Sequence, residues 1–382
     1  MSTAGPLTGL RFVEMVGIGP GPFAAMVLSD LGAEVLRIDC MTPSNIGIER
    51  PIDCDFAARG RSSVALDLKR PEAAALVLDL VAGADGLIEG FRPGVMERLG
   101  LGPEPCLARN PGLAYGRLTG WGQDGPLAQQ AGHDLTYLAL TGVLNAIGRK
   151  GEPPVPPVNL LGDYAGGSLM MVIGLLAAIH AARATGEGQV VDAAIVDGVS
   201  LFAAPTLGLA AAGLHKDGRG ENLLDGGAPH YDSYICADGR YLAIAPIESK
   251  FRRELLEGLG FDPDVFPDVT QNENWPEARR LLAERIATRA RDDWAGIFAE
   301  TDACAAPVLD FAEAAAHPHA IARGSHIEIG GHLQPAPAPR FSRTAPSQPM
   351  PSQAPGSGAG TLAGWGIDPE RVAMLRDAGA MV

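Results

Sequence analysis

Short apolar runs alternate with helical stretches over the first 200 residues. β-Rich runs that are typical of buried strands occur at 10–16, 34–39, 63–68, 86–91 and 113–120. The run LRFVEMV, for instance, is followed by the turn GIGPGP, the helical FAAMVLSDLGA and a second strand, EVLRID, which together make one βαβ unit. A later strand enters another helix in GQVVDAAIVDG at 188–198. This alternation predicts an α/β fold with a doubly wound, parallel, Rossmann-like sheet.

The pattern changes after about residue 225. Two β-rich runs in HYDSYICADGRYLAIAPI are joined by Asp238 and Gly239, a strong hairpin signal, and helical segments follow at 250–260 and 275–300. Residues 330–360 are rich in Pro, Ser, Gly and Ala, which favours an extended arm. We therefore predict a large α/β domain over 1–200, a connecting helical segment over 201–225, a small α+β domain over 226–328, and a return arm with a terminal helix over 329–382 that joins the large domain.

The composition of the chain limits the classes of partner that it is expected to bind. The chain has 382 residues, 46% of them hydrophobic, and a formal charge of -15, which argues against a nucleic-acid surface, so an anionic ligand would need a local pocket of Arg and Lys. Five scattered cysteines without a CxxC pair predict reduced thiols and a cytoplasmic location. The longest apolar run, LMMVIGLLAAI at 169–179, is shorter than the roughly 20 residues of a membrane span, and we expect a buried helix there.

Two sequence patterns, one for dinucleotide binding and one for metal binding, are matched only in part. VGIGPGP has Gly17 and Gly19 in place for a dinucleotide fingerprint, but Pro22 stands where the third glycine is needed. The histidines of the C-terminal third have no recognised metal-ligand spacing with thiolate or carboxylate partners; they are His317, His319, His326 and His332. We predict neither a metal site nor a bound cofactor.

Three ionisable residues stand out beside apolar segments. In AGHDLTYLALTG, His133 precedes a run that reads as core, so it is either a hydrogen-bonded structural group or a chemical one. Asp163 precedes a long apolar helix, where a carboxylate can be an N-cap, or a functional group in the electropositive field of the helix end. Glu248 follows a strand and would be a helix-start residue or a surface charge unless it has a partner in space.

Basic residues follow two of the predicted strands. Lys69 lies at a strand-to-helix junction in SSVALDLKRPE, and Arg92 and Arg98 come after the next strand in GFRPGVMERLG. Ligands of a doubly wound sheet bind at the carboxyl ends of its strands, where such cations can hold phosphates. Each could also be an ordinary solvated surface charge.

Taken together, ordered motifs along nearly the whole chain resemble the family III CoA-transferase (CaiB/BaiF) superfamily, and within it the racemase branch. The resemblance rests on GPLTGLRFVEM, LSDLGAEVLRID, DLKRPE, GFRPGVMERLG, LTGWGQDGP, AGHDLTY, PPVNLLGDYAGG, GGAPHYDSYICADGRYLAIAPIE and PAPRFSRTAP. It implies inversion of the α-carbon in 2-methyl-branched acyl-CoA thioesters, within fatty acid metabolism, with coenzyme A as part of the substrate rather than as a cofactor.

The resemblance also implies which residues act. His133 and Asp163 would be the two catalytic bases, with Glu248 hydrogen-bonded to the imidazole. The implied CoA site comprises Arg37, Leu66, Asp67, Leu68, Lys69, Gly90, Phe91, Arg92, Arg98, Gly132, Asp134, Leu135, Thr136 and Tyr137. The chain departs from the family at Cys40, where an Arg is usual, which leaves Arg37 as the nearby basic residue.

These residue types suit the implied chemistry. Inversion requires one base to remove the α-proton on one face and another to return a proton on the opposite face, through an enolate. A carboxylate such as Glu248 can hold the tautomer of the imidazole and stabilise its charged form. We expect backbone N–H groups at Asp163 and in the following turn to receive the enolate oxygen, and Asp134 with Tyr137 to shape the thioester pocket.

Alternative functions remain open. A family III CoA transferase would use Asp163 as a nucleophile, although the glycine-run loop of such transferases is missing from APIESKF. A non-enzymatic acyl-CoA-binding protein is a third possibility. The resemblance further implies an interlocked homodimer, in which Glu248 would face His133 and Asp163 of the other subunit. Branched fatty acyl, sterol side-chain and arylpropionyl groups all remain possible substrates.

Overall fold

A computed structural model describes residues 4–42 and 47–382 of the chain. The strands are β1 (Arg11–Met15), β2 (Glu34–Cys40), β3 (Ser62–Leu66), β4 (Gly86–Glu89), β5 (Ala114–Thr119), β6 (Gln189–Ala194), β7 (Asp232–Ile235), β8 (Tyr241–Ile244), β9 (Ala305–Pro307), β10 (His326–Ile329) and β11 (His332–Pro335). The helices are α1 (Pro20–Asp30), α2 (Pro71–Val81), α3 (Val95–Arg98), α4 (Pro103–Arg109), α5 (Asp134–Leu140), α6 (Met170–Thr185), α7 (Ile195–Phe202), α8 (Ala204–Ala211), α9 (Ser249–Gly258), α10 (Trp275–Ile286), α11 (Arg291–Phe298), α12 (Phe311–Ala316), α13 (Pro318–Arg323) and α14 (Pro369–Asp377).

The predicted parallel sheet is confirmed. Within the described residues it has six strands in the order β3-β2-β1-β4-β5-β6, and every neighbouring pair is parallel. Strands β1 to β5 are almost entirely buried because helices cover them, as Leu76 and Leu80 of α2 do in the core that also contains Leu36 and Val64. The chain order reverses between β1 and β4, and a crevice for ligands is expected beyond the carboxyl ends of these strands.

The chain forms two compact units. The first comprises Met1–Thr141, Val158–Phe202 and Ala322–Val382, and the second comprises Gly142–Pro157 and Ala203–Ile321. Residues 142–157, which lie inside the predicted large domain, therefore group with the second unit. The predicted domain boundaries themselves stay a prediction.

The second unit is built on a small antiparallel sheet. Its strands run in the order β7-β8-β9, and β7 and β8 form the predicted hairpin, with Gly239 in the turn at φ 76°. A side chain is strained at that φ, which is why glycine suits the position. Leu242, Trp294 and Phe298 are among the residues of its apolar core.

The Pro-rich arm is more ordered than the sequence predicts. It begins with β11, which pairs antiparallel with β10, and then lies against the edge strand β3. There the N–H of Gly358 donates to Ser63 O at 2.6 Å and the N–H of Gly356 donates to Ser63 Oγ at 3.0 Å. These bonds cover an edge of the sheet that would otherwise be open to another chain.

A continuous helical stretch, Leu160–Thr185, is longer than the predicted apolar run. Its first ten residues, Leu160–Leu169, are π-helical and lead directly into α6. Among the described residues it is the one helix whose length and composition would allow it to cross a membrane, with a mean hydropathy of 1.8. Met171 and Leu175 are nevertheless buried in the first unit, whereas Ile173 is 58% exposed. The expected absence of a membrane span stays a prediction.

Candidate active site

His133 lies directly before α5, where its backbone is extended. Its N–H donates to Thr136 Oγ1 at 3.0 Å, and that hydroxyl donates to His133 O at 2.7 Å. Thr136 therefore fixes the backbone of His133 without using the imidazole. The side chain is left exposed on the surface of the first unit, where a substrate can reach it.

Asp163 lies in the first turn of the π-helical segment, and the predicted N-cap role is wrong. The helix begins at Leu160, so the position before it is occupied by Asn159. The amide of Asn159 donates to Asp163 Oδ2 at 3.4 Å, and Ser168 Oγ, five residues further on, donates to Asp163 O at 3.0 Å. Departures from α-helical register often accompany functional sites, and this one aims a carboxylate out of the helix start.

Asp134 holds Asp163 in place. It is only 5% exposed, and its Oδ2 accepts the N–H of Asp163 at 2.8 Å. This N–H therefore already has an acceptor within the protein, and its predicted contact with an enolate oxygen stays a prediction. Asp134 Oδ1 has no hydrogen-bond partner among the described residues. This bond makes Asp134 a positioning residue for Asp163, and its predicted place in the thioester pocket stays a prediction.

The pKa of Asp163 is raised above its ordinary value. Burial is the largest cause, and the negative charge of Asp134 adds to it, while the Asn159 hydrogen bond and the charge of His133 lower the pKa. His133 is thus close enough to Asp163 for its charge to act on that carboxyl group. A carboxyl whose pKa is raised toward neutrality exchanges protons more readily with a weak carbon acid.

Two glycines allow this arrangement, and neither was assigned this role from the sequence. Gly19, at φ 63°, brings the β1–α1 loop so near that a Cβ there would lie 3.5 Å from Asp163 Oδ2. A Cβ on Gly162 would collide with Asp134 Oδ2. The GIGPGP loop was a sequence signal for Gly19, but it matched a different motif, and no local signal marks Gly162.

Tyr137 forms the wall beside Asp163. Its ring is buried and meets the ring of Trp121 edge to face, with centroids 4.8 Å apart. Gly120 and Gly132 leave room for the ring, since a Cβ on Gly132 would lie 2.5 Å from it and one on Gly120 would overlap it. Burial, with a smaller contribution from the charge of Asp163, raises the pKa of Tyr137 to about 12. The phenol therefore stays protonated and remains a hydrogen-bond donor.

The loop after β4 carries the predicted phosphate contacts. Glu89, fully buried at the end of that strand, accepts the N–H of Phe91 at 2.8 Å and Nε of Arg117 at 2.9 Å. Burial raises the pKa of Glu89 to about 7, although both hydrogen bonds lower it. Glu89 thus fixes the Gly90–Arg92 loop, and Arg92 is exposed at the tip of this loop. Lys69, between β3 and α2, and Arg98, at the end of α3, are exposed as well. The charge of Arg92 opposes the larger effect of burial on the pKa of Tyr137, so Arg92 lies near the candidate site.

Other predicted CoA contacts already have partners within the protein. Arg37 is 7% exposed, pairs with Asp39 at 2.8 Å and donates to Gln353 O at 3.3 Å. Leu66 is buried in β3, and the N–H of Asp67 donates to Ala380 O at 3.0 Å. These residues stabilise the first unit, and their contacts with CoA stay predictions. Leu68 is half-buried, and Leu135 is 42% exposed on α5.

Glu248 belongs to the second unit. It is exposed at the position before α9, and its negative charge, after burial, raises the pKa of the Cys304 thiol. Its predicted hydrogen bond to His133 stays a prediction.

The second unit also has two cavities, of about 610 and 500 Å³, that share His230 and Arg252. His230 is 6% exposed, and its Nδ1 has no hydrogen-bond partner in the described part of the chain. Burial, followed by the charge of Arg252, lowers the pKa of His230 to about 4. No sequence pattern indicated this residue.

Comparison with known proteins identifies the family of this chain. The model of CoA-transferase family III matches residues 7–361. The chain belongs to this family. It is 43% identical to the α-methylacyl-CoA racemase of Mus musculus over 373 residues, which cover 97% of the chain and 96% of that protein. It is also 43% identical to the human α-methylacyl-CoA racemase, over 88% of the chain and 87% of that protein.

The fold has solved relatives within the same family. The crystal structure of a CaiB/BaiF family protein from Brucella suis aligns with 95% of this chain and 100% of its own, with a TM-score of 0.80 and 28% identity. The six-stranded parallel sheet and the mixed α/β character agree with this relative. The resemblance predicted from sequence motifs is therefore confirmed.

Proposed function

We propose that this chain is an α-methylacyl-CoA racemase that interconverts the (2R) and (2S) epimers of 2-methyl-branched acyl-CoA thioesters. The observation that carries the proposal is the hydrogen bond that brings Asp163 next to His133: the N–H of Asp163 donates at 2.8 Å to Oδ2 of Asp134, the residue that directly follows His133. Identity of 43% to two racemases over most of the chain supports the same activity. An imidazole and a carboxyl group are the two kinds of base that a 1,1-proton transfer requires.

The reaction proceeds by transfer between the two bases. With one epimer Asp163 removes the α-proton as a carboxylate and protonated His133 returns a proton to the opposite face; with the other epimer the roles are reversed. Burial raises the pKa of the Asp163 carboxyl group above its ordinary value, which makes this group a stronger base for the α-proton and lets it act as an acid in the reverse direction. The scheme needs neither a metal nor a cofactor for the chemistry.

Negative charge develops on the thioester oxygen when the α-proton leaves. Asp163 lies at the positive end of a 26-residue helical stretch, whose field favours negative charge there. Tyr137 adds a protonated phenol beside Asp163. We propose these two sources of enolate stabilisation in place of the Asp163 N–H, which Asp134 already occupies.

The substrate's two ends meet different surfaces of the first unit. Lys69, Arg92 and Arg98 present exposed cations for the phosphates of CoA. Leu135 and Leu140 of α5 expose 42% and 65% of their surface and offer an apolar wall for the acyl chain. Apolar contact of this kind tolerates several acyl shapes.

We further propose a cytoplasmic homodimer in which Glu248 of one subunit orients the imidazole of His133 in the other. Large apolar side chains that are exposed in the single chain support association, such as Ile173 of α6 and Leu207 of α8. Glu248 has the carboxylate needed to accept a hydrogen bond from His133 and to stabilise its charged form.

Deuterium exchange tests the proposal. Each epimer of 2-methylacyl-CoA is incubated separately in D2O with the wild type, His133→Ala and Asp163→Asn, and α-deuterium and stereochemistry are followed. Racemisation predicts deuterium incorporation with convergence of both epimers to one mixture. Each substitution should lower that rate by about 10²- to 10⁴-fold, since each removes one acid–base group.

The transferase alternative gives a different result. If Asp163 were a nucleophile, no α-deuterium would appear, and CoA would move to an added free acid in a reaction that needs Asp163 but not His133. Binding of acyl-CoA with neither reaction would identify a non-enzymatic acyl-CoA-binding protein.

A further inference from the structure

Three side chains of kinds that bind metal ions meet in the first unit: Asp53, Cys54 and His332. Asp53 and Cys54 are neighbours in a single 3₁₀ turn, and His332 begins β11. One ligand atom from each lies within 4.8 Å of the others. His332 is among the histidines that lack a thiolate or carboxylate partner in the sequence. The fold supplies both partners from a segment 279 residues away.

The spacing of two of these atoms matches a metal-bound pair. Asp53 Oδ2 and His332 Nε2 are 3.4 Å apart. In a tetrahedral zinc site with bonds of about 2.0 Å, adjacent oxygen and nitrogen ligands lie about 3.3 Å apart, and a thiolate at about 2.3 Å lies about 3.5 Å from either. These two atoms are hydrogen-bonded to each other, at a separation that a shared ion would also allow, and Cys54 Sγ lies within 4.8 Å of both.

The surroundings hold the ligands and keep the site open. The imidazole of His332 packs against the ring of Phe56, with centroids 5.8 Å apart, and its backbone is paired with Ile329 in the β10–β11 hairpin. The guanidinium of Arg50 pairs with Asp55 at 2.6 Å. The side chain of Asp53 is 61% exposed, so an ion can enter from solvent and water can complete its coordination.

We propose that Asp53, Cys54 and His332 form a Zn²⁺ site with a water molecule as the fourth ligand. Imidazole and thiolate favour zinc over Mg²⁺ and Ca²⁺, which prefer oxygen ligands. When the ion binds, the thiol of Cys54 releases its proton to solvent and becomes the thiolate ligand, and no electron is transferred.

Zinc at this position would join the 51–55 turn to the β10–β11 hairpin. Because the ligands are distant in sequence, the ion links the return arm to the N-terminal part of the first unit. An ion that binds the folded chain more tightly than the unfolded one raises the stability of the fold with its concentration. The site is independent of the proposed racemisation, so its test does not depend on enzyme activity.

Cobalt titration tests the site. The full chain is freed of metal with a chelator and titrated with Co²⁺, and its absorption spectrum is recorded. We expect one ion per chain, a thiolate-to-cobalt charge-transfer band in the near ultraviolet, and displacement of Co²⁺ by Zn²⁺. Cys54→Ser should abolish the band. Asp53→Asn and His332→Ala should weaken binding by at least the roughly 10- to 100-fold that loss of an outer-shell partner costs.

Matched controls separate the site from other thiols and histidines. Cys304→Ser removes another exposed cysteine, and His319→Ala removes an exposed histidine; both should bind Co²⁺ like the wild type. Zinc should raise the unfolding temperature of the wild type and of both controls but not that of Cys54→Ser, and the circular dichroism of the metal-free proteins should coincide. Absence of the band in the wild type, or its persistence in Cys54→Ser, would overturn the proposal.

Discussion

At the scale of single residues, Asp134 governs the candidate site through one carboxylate. Its Oδ2 holds the N–H of Asp163, while its charge raises the pKa of the Asp163 side chain. The cost of this arrangement is a buried oxygen, Oδ1, that has no hydrogen-bond partner within the described residues. The same side chain thus sets both the position and the proton affinity of its neighbour, and a substitution can separate the two effects.

Asp134→Asn removes the charge but keeps an oxygen that can accept the Asp163 N–H. We expect the pKa of Asp163 to fall, so the acidic limb of the pH profile of kcat/KM should move to lower pH with the epimer whose proton Asp163 removes. The plateau rate should fall by less than about tenfold, because the hydrogen bond survives. Asp134→Ala, which loses the bond as well, should lower the plateau further. An acidic limb that stays in place or moves to higher pH would contradict the assigned effect.

The buried side chain of His230 makes the stability of the fold depend on pH. Its pKa is about 4 in the folded chain, below its ordinary value of 6.5. The unfolded chain therefore takes up the proton first as the pH falls, and stability is lost between about pH 6.5 and pH 4. His230→Phe removes the titrating group, so the wild type should lose about 1–3 kcal/mol more than the variant across this window. Urea unfolding at several pH values measures the difference, and a constant difference would refute the assignment.

At the scale of elements, the π-helical start of the Leu160–Thr185 stretch determines where the carboxylate lies. Gly162 permits the first turn to approach Asp134. The hydroxyl of Ser168 donates to the carbonyl oxygens of Asp163 and of Pro20, which lies in the first turn of α1. The helix start is thus fixed from two sides before any substrate arrives. Pre-organisation of this kind allows a catalytic group to act without rearrangement.

Gly162→Ala tests the tight approach of this turn. The added methyl group would collide with Asp134 Oδ2, so Asp163 must shift, and a misplacement of about 1 Å can cost about 10²-fold in rate. We expect kcat to fall by about that factor with a smaller change in KM. Gly296→Ala, in α11, is the matched control, since a Cβ there would meet no atom of the described residues within 4 Å. Equal kcat values for the two variants would show that the turn tolerates the methyl group.

Sequence patterns predicted the elements better than the contacts between them. Alternating apolar runs predicted the strands of the parallel sheet, and Asp238-Gly239 predicted the hairpin, because these signals are local. The stretch 275–300 was expected to be helical throughout, but it breaks after Ile286 into α10 and α11. The bond from Asp163 to Asp134 could not be predicted, since it joins residues 29 positions apart that meet only in the folded chain. No local pattern in the sequence indicated the π-helical register of Leu160–Leu169.

At the scale of the whole molecule, the second unit interrupts the first twice. The chain leaves the first unit after Thr141 and after Phe202, and it returns at Val158 and at Ala322. His133 and Asp163 come from the first unit and Glu248 from the second. A complete set of predicted catalytic residues therefore needs both units, and the subunit that supplies Glu248 can be identified by experiment.

A mixed dimer identifies that subunit. His133→Ala and Glu248→Ala are co-expressed with different tags, and the species that carries both tags is isolated. If Glu248 acts across the dimer, one of the two sites has every residue intact, and we expect about half the wild-type activity. If Glu248 acts within its own chain, both sites carry a defect and the mixed dimer is as inactive as its parents. Sedimentation of the wild type as a fully active monomer would also exclude action across the dimer.

The hydrogen bonds between the return arm and β3 have a consequence for protein synthesis. The ribosome delivers the sheet strands β1 to β6 before residue 200, but Gly356 and Gly358, which cover Ser63 in β3, emerge more than 150 residues later. Through the intervening translation of the second unit, the β3 edge is open to pairing with other nascent chains. The fold is therefore completed only late in translation. A chain released by a ribosome that stalls before residue 350 would expose the unpaired edge of β3, and we expect chaperones to bind it.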